Sequence, residues 1–131
     1  MDKPREIKYT FTKQERLSSK KKIEKLFDRG NSKRAGCINM VYLVLNQESD
    51  VPVQVMFSVP KKLFRKAVDR NLLKRRMREA YRLNKRDIAE SLRKNNKNVS
   101  AAFIYNGKTV EKYAVIERNF KQLLEQLELI Q

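Results

Sequence analysis

Apolar and polar positions alternate in two different rhythms along this chain. From Ile38 to Leu45 it reads Ile-Asn-Met-Val-Tyr-Leu-Val-Leu, dense in β-branched and aromatic residues, and predicts a strand. Asn46 to Asp50 is a turn, and Pro52 opens a second strand. There Val53, Val55, Phe57 and Val59 alternate with Gln54, Met56 and Ser58, the mark of one buried face. Being adjacent in sequence, the two strands predict an antiparallel hairpin. A third strand runs from Val99 to Tyr105, with Val99, Ala101, Phe103 and Tyr105 on one side.

The other rhythm is helical. Leu17 to Gly30 predicts a short helix with Ser18 or Ser19 as N-cap and Gly30 as a terminating residue able to take positive φ. Ile23, Leu26 and Phe27 share a face of it. From Ala67 to Lys94 there is neither Gly nor Pro, and Leu73, Met77, Ala80, Tyr81, Ile88 and Leu92 fall on one side of a single long helix. Val110 to Ile130 predicts a last helix, with Tyr113, Ile116, Phe120, Leu123, Leu124, Leu127 and Ile130 as its core stripe. Asn31 to Gly36 is a polar turn with room for a short strand. Residues 1–16, with Pro4, Tyr9 and Phe11, read equally as an extended arm or as an unordered tail.

The order helix, strands, helix, strand, helix specifies an α+β two-layer sandwich: a small mixed sheet with three helices. The 131 residues form one domain, 1–131, with no internal repeat and no linker.

Charge changes the picture. The chain carries a formal net charge of +16, and 35% of its residues are charged against a usual share of about 25%. Lys61 to Lys94 alone holds fourteen Lys and Arg against four acids, a net +10. On the helix, Asn71, Lys74, Arg75, Arg78, Arg82 and Arg86 gather beside the packing face, and Lys74, Arg78, Arg82 and Arg86 recur every four residues. A solvated face mixes signs, because like charges at i,i+4 destabilise a helix by roughly 0.2–0.5 kcal/mol per pair. Only Glu79 interrupts this ladder, within reach of Arg75 and Arg82. Such a stripe reads as a surface for a polyanion.

Other residue types narrow the chemistry. There is no His, the usual general base near neutral pH, so a His-dependent nuclease is excluded. The acids are scattered in basic sequence, which makes a carboxylate cage for two Mg²⁺ ions hard to assemble. Cys37 stands alone, without a disulfide partner or an activating base, and reads as a small packed residue. No apolar run approaches the roughly 20 residues of a membrane span, and the polar N-terminus shows no secretory signal, so a cytoplasmic location is expected.

The basic segment also carries a recognisable signature. Lys61-Lys62, then Lys66-Ala67-Val68-Asp69-Arg70-Asn71, then Lys74-Arg75 and Arg78-Glu79 resembles that of the bacterial ribonuclease P protein component: a basic pair, Ala-Val-x-Arg-Asn, Lys-Arg two residues on, and Arg-Glu. Two positions depart from it. Leu72 stands where the family usually has Arg, and Phe64-Arg65-Lys66 fills a loop that usually holds a Gly. The resemblance implies the fold of the second domain of a small-subunit ribosomal protein, including a left-handed β-α-β crossover. Pattern alone would choose the right-handed form.

It further implies a protein subunit that binds ribonuclease P RNA and the 5′ leader of precursor tRNA, one protein per catalytic RNA. Catalysis then rests on the RNA, with Mg²⁺ bound mainly by that subunit. Carried over residue by residue, RNA binding falls to Lys61, Lys62, Lys66, Arg70, Asn71, Lys74, Arg75, Arg78 and Arg82, with Asn71 also available to orient Arg70. A leader cleft falls to Phe27, Tyr42, Phe57 and Ile23, with Phe11 near its base. No residue is assigned a catalytic or metal-binding role. Three other readings stay open at this point: a structural or ribosomal-type RNA-binding protein, a DNA-binding protein using the long helix, and an independent Mg²⁺ nuclease.

Overall fold

The computed structural model describes residues 11–130. The arm expected over residues 1–16 therefore lies mostly outside the described residues. Its described end is a 3-10 turn, Lys13–Glu15, preceded by Phe11 and followed by Leu17. Four helices and four strands follow in the order α1 (Lys20–Arg29), β1 (Asn31–Ala35), β2 (Ile38–Leu45), β3 (Val53–Ser58), α2 (Ala67–Asn84), α3 (Arg86–Lys94), β4 (Asn98–Tyr105) and α4 (Tyr113–Ile130).

The sheet order is β1-β2-β4-β3. The hairpin expected between β2 and β3 does not form, because β4 lies between them, antiparallel to β2 and parallel to β3. Every β4 residue from Val99 to Phe103 is buried, and Ser100, Ala101 and Ala102 are small. That composition suits a central strand covered on both faces. The hairpin that does form joins β1 to β2 through Gly36, whose φ of 55° is left-handed. A side chain at Gly36 would lie 2.6 Å from the Asn119 amide. Asn119 in turn accepts from the Cys37 N–H at 3.2 Å and from its thiol at 3.1 Å, tying the hairpin to α4.

Strand parity sorts the core. Met40, Tyr42, Val55, Val99, Ala101, Phe103 and Tyr105 face α2, α3 and α4. Phe57 sits there among Phe11, Tyr81, Phe103 and Phe120, with ring centroids 5.6–6.2 Å away. Val41, Leu43, Met56 and Ala102 have the opposite parity and face α1 through Ile23 and Leu26. The result is the expected sandwich, with α1 laid across the second face of the sheet.

Two helix ends differ from expectation. The long helix divides at Lys85, giving four helices where three are expected. Asn84 turns its amide back onto the Ala80 carbonyl at 2.7 Å, competing with the backbone ladder. Lys85 is buried, its ammonium 2.6 Å from Glu15 Oε1. The last helix begins at Tyr113 rather than Val110. The Tyr105 hydroxyl donates to the Thr109 carbonyl at 2.6 Å and accepts from the Glu111 N–H at 3.1 Å, holding the preceding loop in place. Within α4 the stripe is buried as expected from Ile116 to Leu127, while Ile130 is exposed.

Gly30 ends α1 for a different reason from the one expected. Its φ is −72°, open to any residue, but an added Cβ would meet the Leu26 carbonyl at 2.3 Å. Close approach demands the glycine here. Ser19 is the N-cap, accepting from the Lys22 N–H at 3.4 Å.

Candidate nucleic-acid interface

After β3 the chain turns at Pro60, whose carbonyl accepts from the N–H groups of Leu63 and Phe64 at 3.2 Å. Phe64 is buried and packs on Tyr105, which anchors the loop while Lys61 and Lys62 face solvent. Lys66 is the exposed N-cap of α2. Asn71, Arg75 and Arg78 are exposed along the helix, and Lys74 is half-exposed. Lys66 thus stands at the positive end of the helix dipole, with Asp69 the one acid in its first turn. Cations are disfavoured there and an anion is favoured.

Two members of the expected RNA-binding set also bond within the protein. Arg70 donates through Nη1 to the carbonyls of Phe64 at 2.8 Å and Arg65 at 2.7 Å. It clasps the basic loop to α2, so its role in positioning comes from these carbonyls and not from Asn71. Arg82 is bound by Glu79, at 2.5 Å and 3.1 Å, and this pairing holds the Glu79 carboxyl below the ordinary carboxylate range. Arg86, the last rung of the ladder, lies beyond the break in α3 and pairs with Glu90 at 3.2 Å. Arg76, which the sequence did not single out, donates to the Glu111 carbonyl at 2.6 Å. Of the expected set, Lys61, Lys62, Lys66, Arg75 and Arg78 are exposed and Lys74 is half-exposed; Arg65 of the same loop is exposed as well.

The residues expected to share a leader cleft are not brought together. Phe27 stands 49% exposed on α1, and Ile23 is half-buried beneath the same helix. Tyr42 and Phe57 lie on the opposite face of the sheet, in the core under α2–α4. The cause is parity: on β2, Leu43 rather than Tyr42 points toward α1. Phe11 follows Phe57 into that core, 5.9 Å from Tyr81, instead of lying at the base of a cleft.

A groove does exist on the α1 side. It encloses about 290 Å³ between Lys22 and Lys25 of α1 and the sheet residues Leu43, Leu45, Gln54 and Ser100. Lys22 Nζ donates to Gln54 Oε1 at 2.9 Å, bridging helix and sheet. Its floor is aliphatic and amide, its helix wall is cationic, and one acid, Glu48, also lines it. An extended single strand of nucleic acid presents matching bases and phosphates. The run Lys20-Lys21-Lys22 and Lys25 was the signal for this wall, but without the strand parity nothing tied it to Leu43 or Gln54.

Among the described residues no three His, Cys, Asp or Glu side chains stand together to hold a metal ion. No helix among them is long and apolar enough to cross a membrane. Burial raises the Cys37 thiol above its ordinary range, which keeps it protonated and poorly nucleophilic.

A family model described as Ribonuclease P matches residues 11–128. The chain is 44% identical over 69 residues to the ribonuclease P protein component of Chlorobaculum tepidum, covering 50% of this chain and 45% of that protein. It is 38% identical over 77 residues to that of Porphyromonas gingivalis, covering 59% and 56%. These matches span about half the length of the curated relatives. Among solved structures, the chain resembles the RNase P protein from Thermotoga maritima with a TM-score of 0.66 and 21% identity, over 86% of this chain and 96% of that one. It resembles the RNase P protein from Staphylococcus aureus with a TM-score of 0.65 and 21% identity, over 91% and 93%. At these identities the structural likeness establishes the fold.

Proposed function

This chain belongs to the bacterial ribonuclease P protein family, and on that premise we propose that it binds ribonuclease P RNA and precursor tRNA, assisting endonucleolytic removal of the 5′ leader. The observation that carries this reading is the pairing of two surfaces. One is the solvent-facing basic loop and α2, with Lys61, Lys62, Lys66, Lys74, Arg75 and Arg78. The other is the α1-side groove between Lys22 and Lys25 and the sheet residues Leu43 and Leu45.

The first surface neutralises phosphates of the catalytic RNA, with Arg favoured because its planar fork meets two oxygens at once. Arg70 acts one step back, fixing the loop that presents Lys61 and Lys62. The second surface holds the leader, its bases against Leu43 and Leu45 and its phosphates toward Lys22 and Lys25, while the exposed Phe27 ring, elsewhere on α1, offers a further base a face to stack on. In this reading the RNA subunit and the Mg²⁺ it binds supply the bond cleavage, one protein serves each catalytic RNA, and the holoenzyme works in the cytoplasm. A ribosomal-type RNA-binding protein would share the basic surface but have no use for the groove.

The test is cleavage of a precursor tRNA by a bacterial ribonuclease P RNA at low Mg²⁺, with and without this protein. Strong stimulation, with no cutting by the protein alone, is the expected result. Tight binding to that RNA without stimulation would move the assignment to structural RNA binding.

A further inference from the structure

The outward side of α2 is not uniformly basic. Val68 and Leu72 stand one turn apart on it, Val68 77% exposed and Leu72 partly covered. Asn71 and Arg75 flank them, and Lys66 precedes them. Neither propensity nor packing accounts for Val68. A β-branched residue loses side-chain freedom in a helix, and one this exposed gains little burial in return. Leu72 holds the position where the signature described above carries an arginine.

An aliphatic strip inside a polyanion-binding surface gains nothing from phosphate, which the neighbouring cations meet. The chief apolar surfaces of RNA are its base faces. In an A-form duplex these are stacked, and the deep, narrow major groove keeps side chains out. They become available where a nucleotide is bulged, looped or splayed from the stack. We propose that Val68 and Leu72 form a pad for the face of an unpaired nucleobase in the RNA that α2 binds. On this account α2 selects a loop or bulge by contact and holds its flanking phosphates by charge. The inference rests on reading α2 as the face that binds ribonuclease P RNA.

Salt dependence separates the two kinds of contact. The slope of log affinity against log salt counts neutralised phosphates, and a contact to a base face shifts the line without tilting it. Ribonuclease P RNA is titrated with the wild type, with the double variant Val68→Ser, Leu72→Ser, and with Arg78→Ala. The double variant binds about tenfold more weakly at every salt concentration, on a parallel line. Arg78→Ala reduces the slope by about 1. Leu72→Arg supplies a second reading: its slope steepens while its affinity at high salt falls.

A base-modification footprint completes the test. The double variant unmasks an unpaired base that the wild type covers, while the backbone footprint persists. A double variant that matches the wild type at every salt, or that changes the slope, overturns the pad. If the wild type also stimulates cleavage, the ribonuclease P reading stands regardless. Failure of the wild type to bind that RNA at all overturns both.

Discussion

The two faces of this sheet are made by the same strands and have opposite fates. Toward α2–α4, Met40, Tyr42, Val55, Ala101, Phe103 and Tyr105 are buried, and four aromatic rings pack around Phe57. Toward α1, the alternate residues Val41, Leu43, Met56 and Ile104 are only partly covered. Ten residues of α1 cannot roof a four-stranded sheet, and what they leave uncovered is the groove. Successive side chains point to opposite faces, so a difference of one in residue number decides between core and interface. The same contrast recurs on α2, where Arg70 and Arg76 are spent on backbone carbonyls and Arg75 and Arg78 face solvent.

The sharpest way to break the comparison is to truncate neighbours on β4. Phe103 is fully buried and stacks against Phe57 and Phe120; Ile104 beside it is half-buried on the other face. Phe103→Ala should cost about 3–5 kcal/mol in denaturant unfolding. Ile104→Ala should cost about 1 kcal/mol, since much of its side chain is already in water. Equal losses would make both faces core and leave no room for a binding groove.

These differences explain what the sequence revealed. The helix stripes were legible because each has one apolar side: Leu73, Met77, Ala80, Tyr81, Ile88 and Leu92 are all buried as periodicity requires. So was the concentration of charge, since a segment holding fourteen cations from Lys61 to Lys94 advertises itself. The parity of Ile38–Leu45 was not legible. Six of its eight residues are aliphatic or Met, and when both faces of a strand are covered the period of two is erased. The partner of β2 was hidden too, because β4 enters from more than fifty residues away while nearness in sequence favours a hairpin. The contacts of Arg70 and Lys85 were hidden for one reason: their partners, two loop carbonyls in one case and Glu15 in the other, leave no local pattern.

A second pair, on β2, tests parity where it bears on function. Tyr42→Ala should lower stability by about 2–4 kcal/mol and leave leader affinity of the folded fraction unchanged. Leu43→Ala should cost about half as much stability and weaken binding of a precursor tRNA, but not of mature tRNA. Fluorescence titration with both RNAs decides between them. A leader-specific defect in Tyr42→Ala would return the tyrosine to the groove.

Phe27 carries the comparison onto α1. Half its surface is exposed, so Phe27→Ala should change stability by about 0.5–1 kcal/mol. If the ring stacks a leader base, affinity for precursor tRNA should fall about tenfold while that for mature tRNA holds. Equal loss for the two RNAs would make Phe27 a structural residue of α1 and leave leader binding to the groove with Lys22 and Lys25.

The smallest expected effect concerns the charge withheld on α2. Glu79 is bound to Arg82, and the guanidinium holds its carboxyl low. A carboxyl whose folded pKa is depressed contributes stability above its unfolded pKa and loses it as pH falls through the folded one. At neutral pH the pair is therefore fully formed, and as a solvent-screened surface pair it contributes little to stability. Glu79→Gln should cost correspondingly little in stability. It also removes the negative charge facing Arg82, which adds to the basic surface beside Arg78. The salt slope for RNA binding should then steepen by up to about 1, with a modest gain in affinity at low salt. An unchanged slope would place Arg82 outside the footprint and end the RNA-binding part of α2 at Arg78.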